Sequence, residues 1–168
     1  DEEANLNWAA RLEEVGAHVV YGLVGYKTHA KMLMVVRRES GRLRRYVHLA
    51  TGNYHPRTAR LYTDFRLFTA NEGICDDVSE AFKQLTGLGR AKALNHLWIA
   101  PFTLHKNVMA ALRREKRHAK AGKPALIIAK MNALLEPRVI EALYAASQAG
   151  VKIDLLVRGV CALRPGIP

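Results

Sequence analysis

Acidic residues are scarce in this sequence. Fifteen Asp and Glu stand against 26 Lys and Arg, which leaves a formal charge of +11 and an isoelectric point near 10.0. Such an imbalance points to a polyanionic partner: nucleic acid, a phosphate-rich substrate or an anionic membrane surface. Cysteine is also rare. Cys75 and Cys161 are far apart and match no zinc or redox spacing. Two buried free thiols in a reducing compartment are therefore expected, which favours the cytoplasm. No run of about 18 uncharged apolar residues occurs, so no membrane-spanning helix is expected. The opening Asp1-Glu2-Glu3 is charged at once, which suits the start of a helix rather than a secretory leader. It reads as the edge of a piece cut from a longer protein. No repeat of simple period is evident.

What is present suits a globular α/β chain. Its 168 residues, 49% of them apolar, can bury a core as one domain or two small ones. Ala4, Trp8, Leu12 and Val15 recur at helical spacing, and Gly16 ends that helix. His18–Tyr21 reads as a short strand, Ala30–Arg37 as another, and Glu39-Ser40-Gly41 as the turn to a partner strand over Leu43–Ala50. Thr51–Pro56 is irregular by composition, and a further strand covers Asp64–Thr69. A helix follows over Asp76–Leu85. Thr86-Gly87-Leu88-Gly89-Arg90 is the best linker candidate. Beyond it, Leu97–Ala100 reads as a strand, Leu104–Lys120 as a basic amphipathic helix, and Ala125–Lys130 as a strand. Pro137–Ala149 reads as a helix with proline in its first turn, and Val151–Val157 as a strand. Strand–helix–strand at this spacing is a parallel crossover. Two α/β portions are expected, 1–95 and 96–168.

The stretch Gly25-Tyr26-Lys27-Thr28-His29-Ala30-Lys31 reads as a loop entering a buried strand. On a strand, Lys27, His29 and Lys31 project to one side. An imidazole between two ammonium groups is a poor metal site, because metals require unprotonated ligands and repel cations. It suits an anion, and a neutral imidazole there could attack phosphorus. A solvated strand end accounts for the same residues without chemistry.

Between Arg37 and Arg66 lie eight arginines, no lysine, and only two acids, Glu39 and Asp64. The guanidinium fork suits phosphate. A solvated hairpin rim explains Arg42, Arg44 and Arg37, whereas Arg57, Arg60 and Arg66 flank the irregular loop. In that loop Thr51-Gly52-Asn53 could cradle a phosphate through backbone N–H groups, a hydroxyl and an amide, although a Gly-Asn pair is also an ordinary turn. It follows the strand that pairs with the histidine strand, so loop and His29 are expected at one sheet edge. Tyr62 is a further phosphate or nucleotide contact, or packing. The other histidines, His48 and His55 among them, are assigned to structure. The cations that close Leu104–Lys120 suit a helix C-terminus, and that face reads as mostly solvated. Arg158, at the carboxyl end of the last strand, is placed to meet an anion.

Three motifs taken together, Lys27-Thr28-His29-Ala30-Lys31, Leu49-Ala50-Thr51-Gly52-Asn53 and Thr58-Ala59-Arg60-Leu61-Tyr62-Thr63-Asp64, resemble bacterial polyphosphate kinases of the histidine-phosphorylating type. Leu155-Leu156-Val157-Arg158-Gly159-Val160-Cys161 is similar to the same family, so the likeness runs along nearly the whole chain. The resemblance implies reversible transfer of the ATP terminal phosphate to inorganic polyphosphate. His29 would be the phosphorylated residue and Lys31 its catalytic companion. Tyr62, Arg158, Asn53 and Arg60 would bind ATP or phosphate. Mg²⁺ would arrive with ATP, with no protein-side metal ligand in these residues. It also implies two phospholipase D-like α/β portions with mixed sheets, the second incomplete, in a cytoplasmic homo-oligomer, free or at a membrane surface. ATP, ADP and polyphosphate would be its partners rather than nucleic acid.

The sequence departs from phospholipase D enzymes in having Val35-Val36 where their pattern carries an aspartate, which disfavours a phosphodiesterase. The family's second histidine and its metal-linked arginines fall outside these residues. By that likeness the 168 residues alone do not catalyse synthesis. The alternatives are a phospholipase D-type phosphodiesterase and a non-catalytic polyanion-binding module.

Overall fold

The computed structural model describes residues 2–87 and 93–167, and side chains from Asn7 onward. Two compact units divide the chain, Asp1–Leu97 and Trp98–Pro168. The first orders as α1 (Glu2–Glu14), β1 (Met32–Glu39), β2 (Arg42–Ala50), α2 (Pro56–Leu61), β3 (Arg66–Thr69) and α3 (Glu72–Leu85). The second orders as α4 (Leu104–Lys120), β4 (Leu126–Met131), α5 (Pro137–Ser147) and β5 (Lys152–Val157). The α/β class expected from sequence is what the structure has, as one antiparallel and one parallel sheet.

In the first unit β1 and β2 form a hairpin whose register closes at Glu39 opposite Arg42. Ser40 and Gly41 both have positive φ, 49° and 80°, as the tight two-residue hairpin turn requires. β3 adds antiparallel to β2, with Val47 opposite Thr69 and Ala50 opposite Arg66. One face of this sheet carries Met32, Met34, Val47 and Leu49 against Cys75, Val78 and Phe82 of α3. Val47 and Val78 are almost wholly buried, each stabilising the unit by about 1.5–3 kcal/mol.

α3 begins four residues earlier than its apolar spacing suggests. The Asn71 side chain caps it by accepting from Ile74 N at 3.1 Å. Within α3 the carboxylate of Asp77 is buried and accepts three backbone bonds, from Asn95 N at 3.2 Å, His96 N at 2.6 Å and Leu97 N at 2.8 Å. Leu97–Ala100 is no strand: Leu97 N is taken by Asp77, and Ile99 N donates to the Thr103 hydroxyl at 2.9 Å, so neither is offered to a ladder.

Four other expectations are corrected. His18–Tyr21 forms no strand, and Val20 and Tyr21 are exposed, since no neighbouring strand offers them a ladder. The stripe Trp8 and Leu12 of α1, with Val15 just past its end, is also exposed, and Ala9 is the buried residue. Ala4 lies outside the described side chains, and Leu88–Arg90 of the candidate linker outside the described residues. The expectation of two buried thiols holds for Cys75 only, because Cys161 is exposed. Burial holds the Cys75 thiol above its ordinary range. Finally, the segment after Thr51 contains α2, which composition did not suggest. Pro56 starts it, where a missing N–H costs nothing, and His55 caps it by accepting from Thr58 N.

In the second unit β4 and β5 are parallel, from Leu126 opposite Lys152 to Met131 opposite Val157, and α5 makes the expected crossover. Its core gathers Leu112 of α4, Leu134, and Ile140 and Leu143 of α5, flanked by Ile127, Ile153 and Val157. Glu136 caps α5 by accepting from Val139 N at 2.6 Å.

Asp77 makes an acid-sensitive brace. Burial opposes its charge, but the backbone donors His96, Leu97 and Asn95 outweigh burial and hold the carboxyl below its usual range. A depressed carboxyl stabilises the fold above its unfolded pKa and loses that contribution as pH falls through the folded value. Asp77→Asn should therefore lower stability by about 1–3 kcal/mol at neutral pH, read as a lower urea midpoint. The gap to the parent should shrink in acid, and a gap constant down to strongly acidic pH would show that the charge is not its source.

Candidate functional site

A β-turn closed by Tyr26 N donating to Leu23 O at 3.1 Å leads into the histidine stretch. Gly25 sits in it at φ 82°, which disfavours a side chain there. Regular β1 pairing starts at Met32, so Ala30 and Lys31, expected within the strand, precede it. The ladder nevertheless continues by one bond, Ala50 N donating to Lys31 O at 3.0 Å. This places the His29–Lys31 segment at the end of the sheet where β2 hands over to Thr51.

Lys31 Nζ and His29 Nε2 lie 2.9 Å apart. An ammonium only donates, so Nε2 accepts and carries its lone pair on the side facing Lys31. The imidazole is exposed and Lys31 partly so. Both can therefore meet a solute.

Thr51 through Phe65 is a single excursion with a closed base. Thr51 N donates to Phe65 O at 3.1 Å, and Phe65 N donates to Thr51 Oγ1 at 3.0 Å. Asn53, Arg60 and Tyr62 all lie within it. Arg60 occupies the last turn of α2, and Tyr62 is the residue after its end, with its N–H donating to Thr58 O. All three are exposed.

The expected cradle is occupied in part by the protein itself. A Cβ built on Gly52 would collide with the carboxylate of Asp64, and the Thr51 hydroxyl donates to Asp64 Oδ1 at 3.4 Å. Glycine at 52 thus admits Asp64. Sequence spacing does not show this, because 12 residues separate the two.

A second missed pair is His48 and Tyr54. His48 is buried, its Nδ1 bonds the Tyr54 hydroxyl at 2.8 Å, and its ring stacks on Phe68 at 4.2 Å. Its Nε2 has no hydrogen-bond partner among the described residues. The pair ties the start of the excursion to β2 and β3, the structural role expected of His48.

The arginines sort by partner. Arg37 and Arg44 share Glu39 at 3.5 and 3.7 Å, and Tyr46 donates to the same carboxylate at 2.9 Å, which raises the phenol pKa. Arg45 pairs with Asp76 at 2.7 Å. Three hairpin arginines are thus paired internally, where the sequence suggests only a solvated rim at Arg37, Arg42 and Arg44.

Arg158 belongs to the second unit. Its backbone N donates to Met131 O at 3.0 Å and its guanidinium bonds the Asn132 side chain. It therefore stands where the carboxyl ends of β4 and β5 meet, with the group itself exposed.

The side chain bonded to His29 is a cation, Lys31, which disfavours a metal there, and among the described residues no three His, Cys, Asp or Glu side chains cluster to hold a metal.

Residues 1–91 match the family described as polyphosphate kinase C-terminal domain 1, and residues 97–168 match polyphosphate kinase C-terminal domain 2. The chain belongs to the polyphosphate kinase family. It is 66% identical to the polyphosphate kinase of Burkholderia ambifaria (strain MC40-6), with all of this chain and 25% of that protein covered. The Paraburkholderia phytofirmans polyphosphate kinase is 65% identical over 99% of the chain and 25% of its own length. A crystal structure of polyphosphate kinase from Porphyromonas gingivalis superposes with a TM-score of 0.86 at 38% identity, over 100% of this chain and 28% of that one. The chain thus spans about a quarter of the length of the curated polyphosphate kinases it matches. Among the described residues no helix is long and apolar enough to cross a membrane.

The Gly52–Asp64 contact is testable by a double-mutant cycle. Gly52→Ala should destabilise by about 1–3 kcal/mol through overpacking, and adding Asp64→Ala should recover most of that loss. Purely additive effects in thermal melts would refute the contact.

Proposed function

We infer that this chain carries the phosphohistidine portion of an ATP–polyphosphate phosphotransferase, with His29 as nucleophile. The carrying observation is the 2.9 Å approach of Lys31 Nζ to His29 Nε2. It supports a histidine with an available lone pair and an ammonium at the same atom, the combination phosphoryl transfer needs. The family membership and the +11 charge support the substrate class.

In this reading ATP is the donor. The Nε2 lone pair forms a bond to the terminal phosphorus while the bond to the bridging oxygen breaks, and ADP leaves with that electron pair. Lys31 turns from Nε2 to the transferring oxygens, whose charge spreads in the transition state. A terminal oxygen of polyphosphate then attacks, the P–N bond breaks, and His29 regains its lone pair. Arg60 and Arg158 offer guanidinium forks to phosphate oxygens, and Asn53 and Tyr62 donate neutral hydrogen bonds. Mg²⁺, bound to the nucleotide, would screen phosphate charge. The 1–95 and 96–168 portions would be the two catalytic domains of a larger cytoplasmic homo-oligomer, and the 168 residues alone would be silent.

The test uses the whole protein with ATP labelled at its terminal phosphate. An acid-labile, alkali-stable label should appear, and His29→Ala should abolish both it and polyphosphate synthesis. Label and synthesis that survive His29→Ala refute the reading. Lys31→Gln should slow labelling by about a hundredfold, the scale for removing one charge-stabilising donor. Binding of polyphosphate without consumption of ATP would instead identify a polyanion-binding module.

A further inference from the structure

The outward face of α4 has no structural explanation for its charge. The helix carries six Lys and Arg but one acid, Glu115. That carboxylate is taken by Arg114 at 3.0 Å and His118 at 3.4 Å, bonds that hold its carboxyl below the ordinary range. At about 100° per residue, Lys106, Arg113, Arg117 and Lys120 fall within roughly 60° of one another. All four are exposed, and none pairs with a described carboxylate. Val108 and Leu112 pack into the core from the opposite side.

Two local effects could have accounted for this stripe, and neither does. The helix dipole favours Arg117 and Lys120 in the last turn. It opposes Lys106, which sits in a first turn that contains no acid. Side-chain pairing fails as well, because Arg113 and Arg117 are like charges at the i, i+4 spacing that destabilises a helix. The sequence spends stability on a straight row of cations. Over the 14 steps from Lys106 to Lys120 the row is about 21 Å long.

We propose that this face of α4 is a docking track for a long inorganic polyphosphate chain, outside the residues that handle the transferred phosphate. The proposal rests on the polyphosphate kinase reading for its choice of ligand. A linear chain with about one charge per phosphate can meet cations spread along a single helix face, which a compact nucleotide cannot. The track would hold the growing chain and so favour long substrates over short ones. The linkage is entropic and ionic, by release of counterions from the chain, as for nucleic acids.

The experiment uses the whole protein and labelled polyphosphate of two classes, chains much longer than the track and chains too short to span it. The variant Lys106→Gln/Arg113→Gln/Arg117→Gln/Lys120→Gln keeps helix formers at exposed positions. Its affinity for long chains should drop about tenfold or more, and its log K against log salt slope should flatten by about 3. Short-chain binding and labelling of His29 by ATP should be unchanged. A charge-matched control, Arg38→Gln/Arg42→Gln/Arg138→Gln/Lys152→Gln, should bind long chains like the parent. Unaltered long-chain affinity and salt slope in the α4 variant would overturn the proposal, as would an equal loss in the control. A parent that prefers duplex DNA to polyphosphate at equal charge would overturn the assigned ligand. Should His29 take no phosphate from ATP in the parent, the kinase reading fails, while the binding comparison still decides the track.

Discussion

One backbone hydrogen bond sets the geometry of the first unit's site. Ala50 N donates to Lys31 O, one step beyond the regular β1–β2 ladder. Without it the ladder would end at Met32. With it, the histidine stretch and the start of the 51–65 excursion share a sheet end. The excursion is itself closed by the Thr51–Phe65 pair of bonds, so Asn53, Arg60 and Tyr62 are carried by one loop rather than three.

Charge compensation then separates structural cations from available ones. Glu39 pairs with Arg37 and Arg44, Asp76 with Arg45, and Glu115 with Arg114 and His118. Asp77 is used for backbone donors, Glu136 for the cap of α5, and Asp64 for the space at Gly52. Along α4 the cations Lys106, Arg113, Arg117 and Lys120 share one exposed face, and the proposed track rests on this alignment rather than on the net +11.

Local pattern made much of the fold legible. The hairpin turn at Ser40-Gly41, the parallel crossover around α5 and the span of α4 all follow from short-range rules of φ, periodicity and proline placement. The motifs around His29, Thr51–Asn53 and Tyr62 carried the likeness to polyphosphate kinases. Illegible were elements whose partners lie far off in sequence. His18–Tyr21 has strand composition but no strand to pair with. Leu97–Ala100 has it too, but the buried Asp77, 20 residues before Leu97, takes the N–H groups of 95–97. α2 was hidden because a six-residue helix has too short a period to register, and its signals, a histidine cap and a proline, are weak alone.

The sequence by itself determined the +11 charge and the residue types, His29, Lys31 and the arginine-rich middle, on which the proposed chemistry draws. Those are properties of residue type, and type survives any folding. Tertiary structure decided contacts that spacing does not show: Asp64 in the space left by Gly52 and Tyr54 on the buried His48. Each contact depends on the register of a sheet or the closure of a loop. Register and closure come from long-range backbone pairing, which a linear pattern does not encode locally.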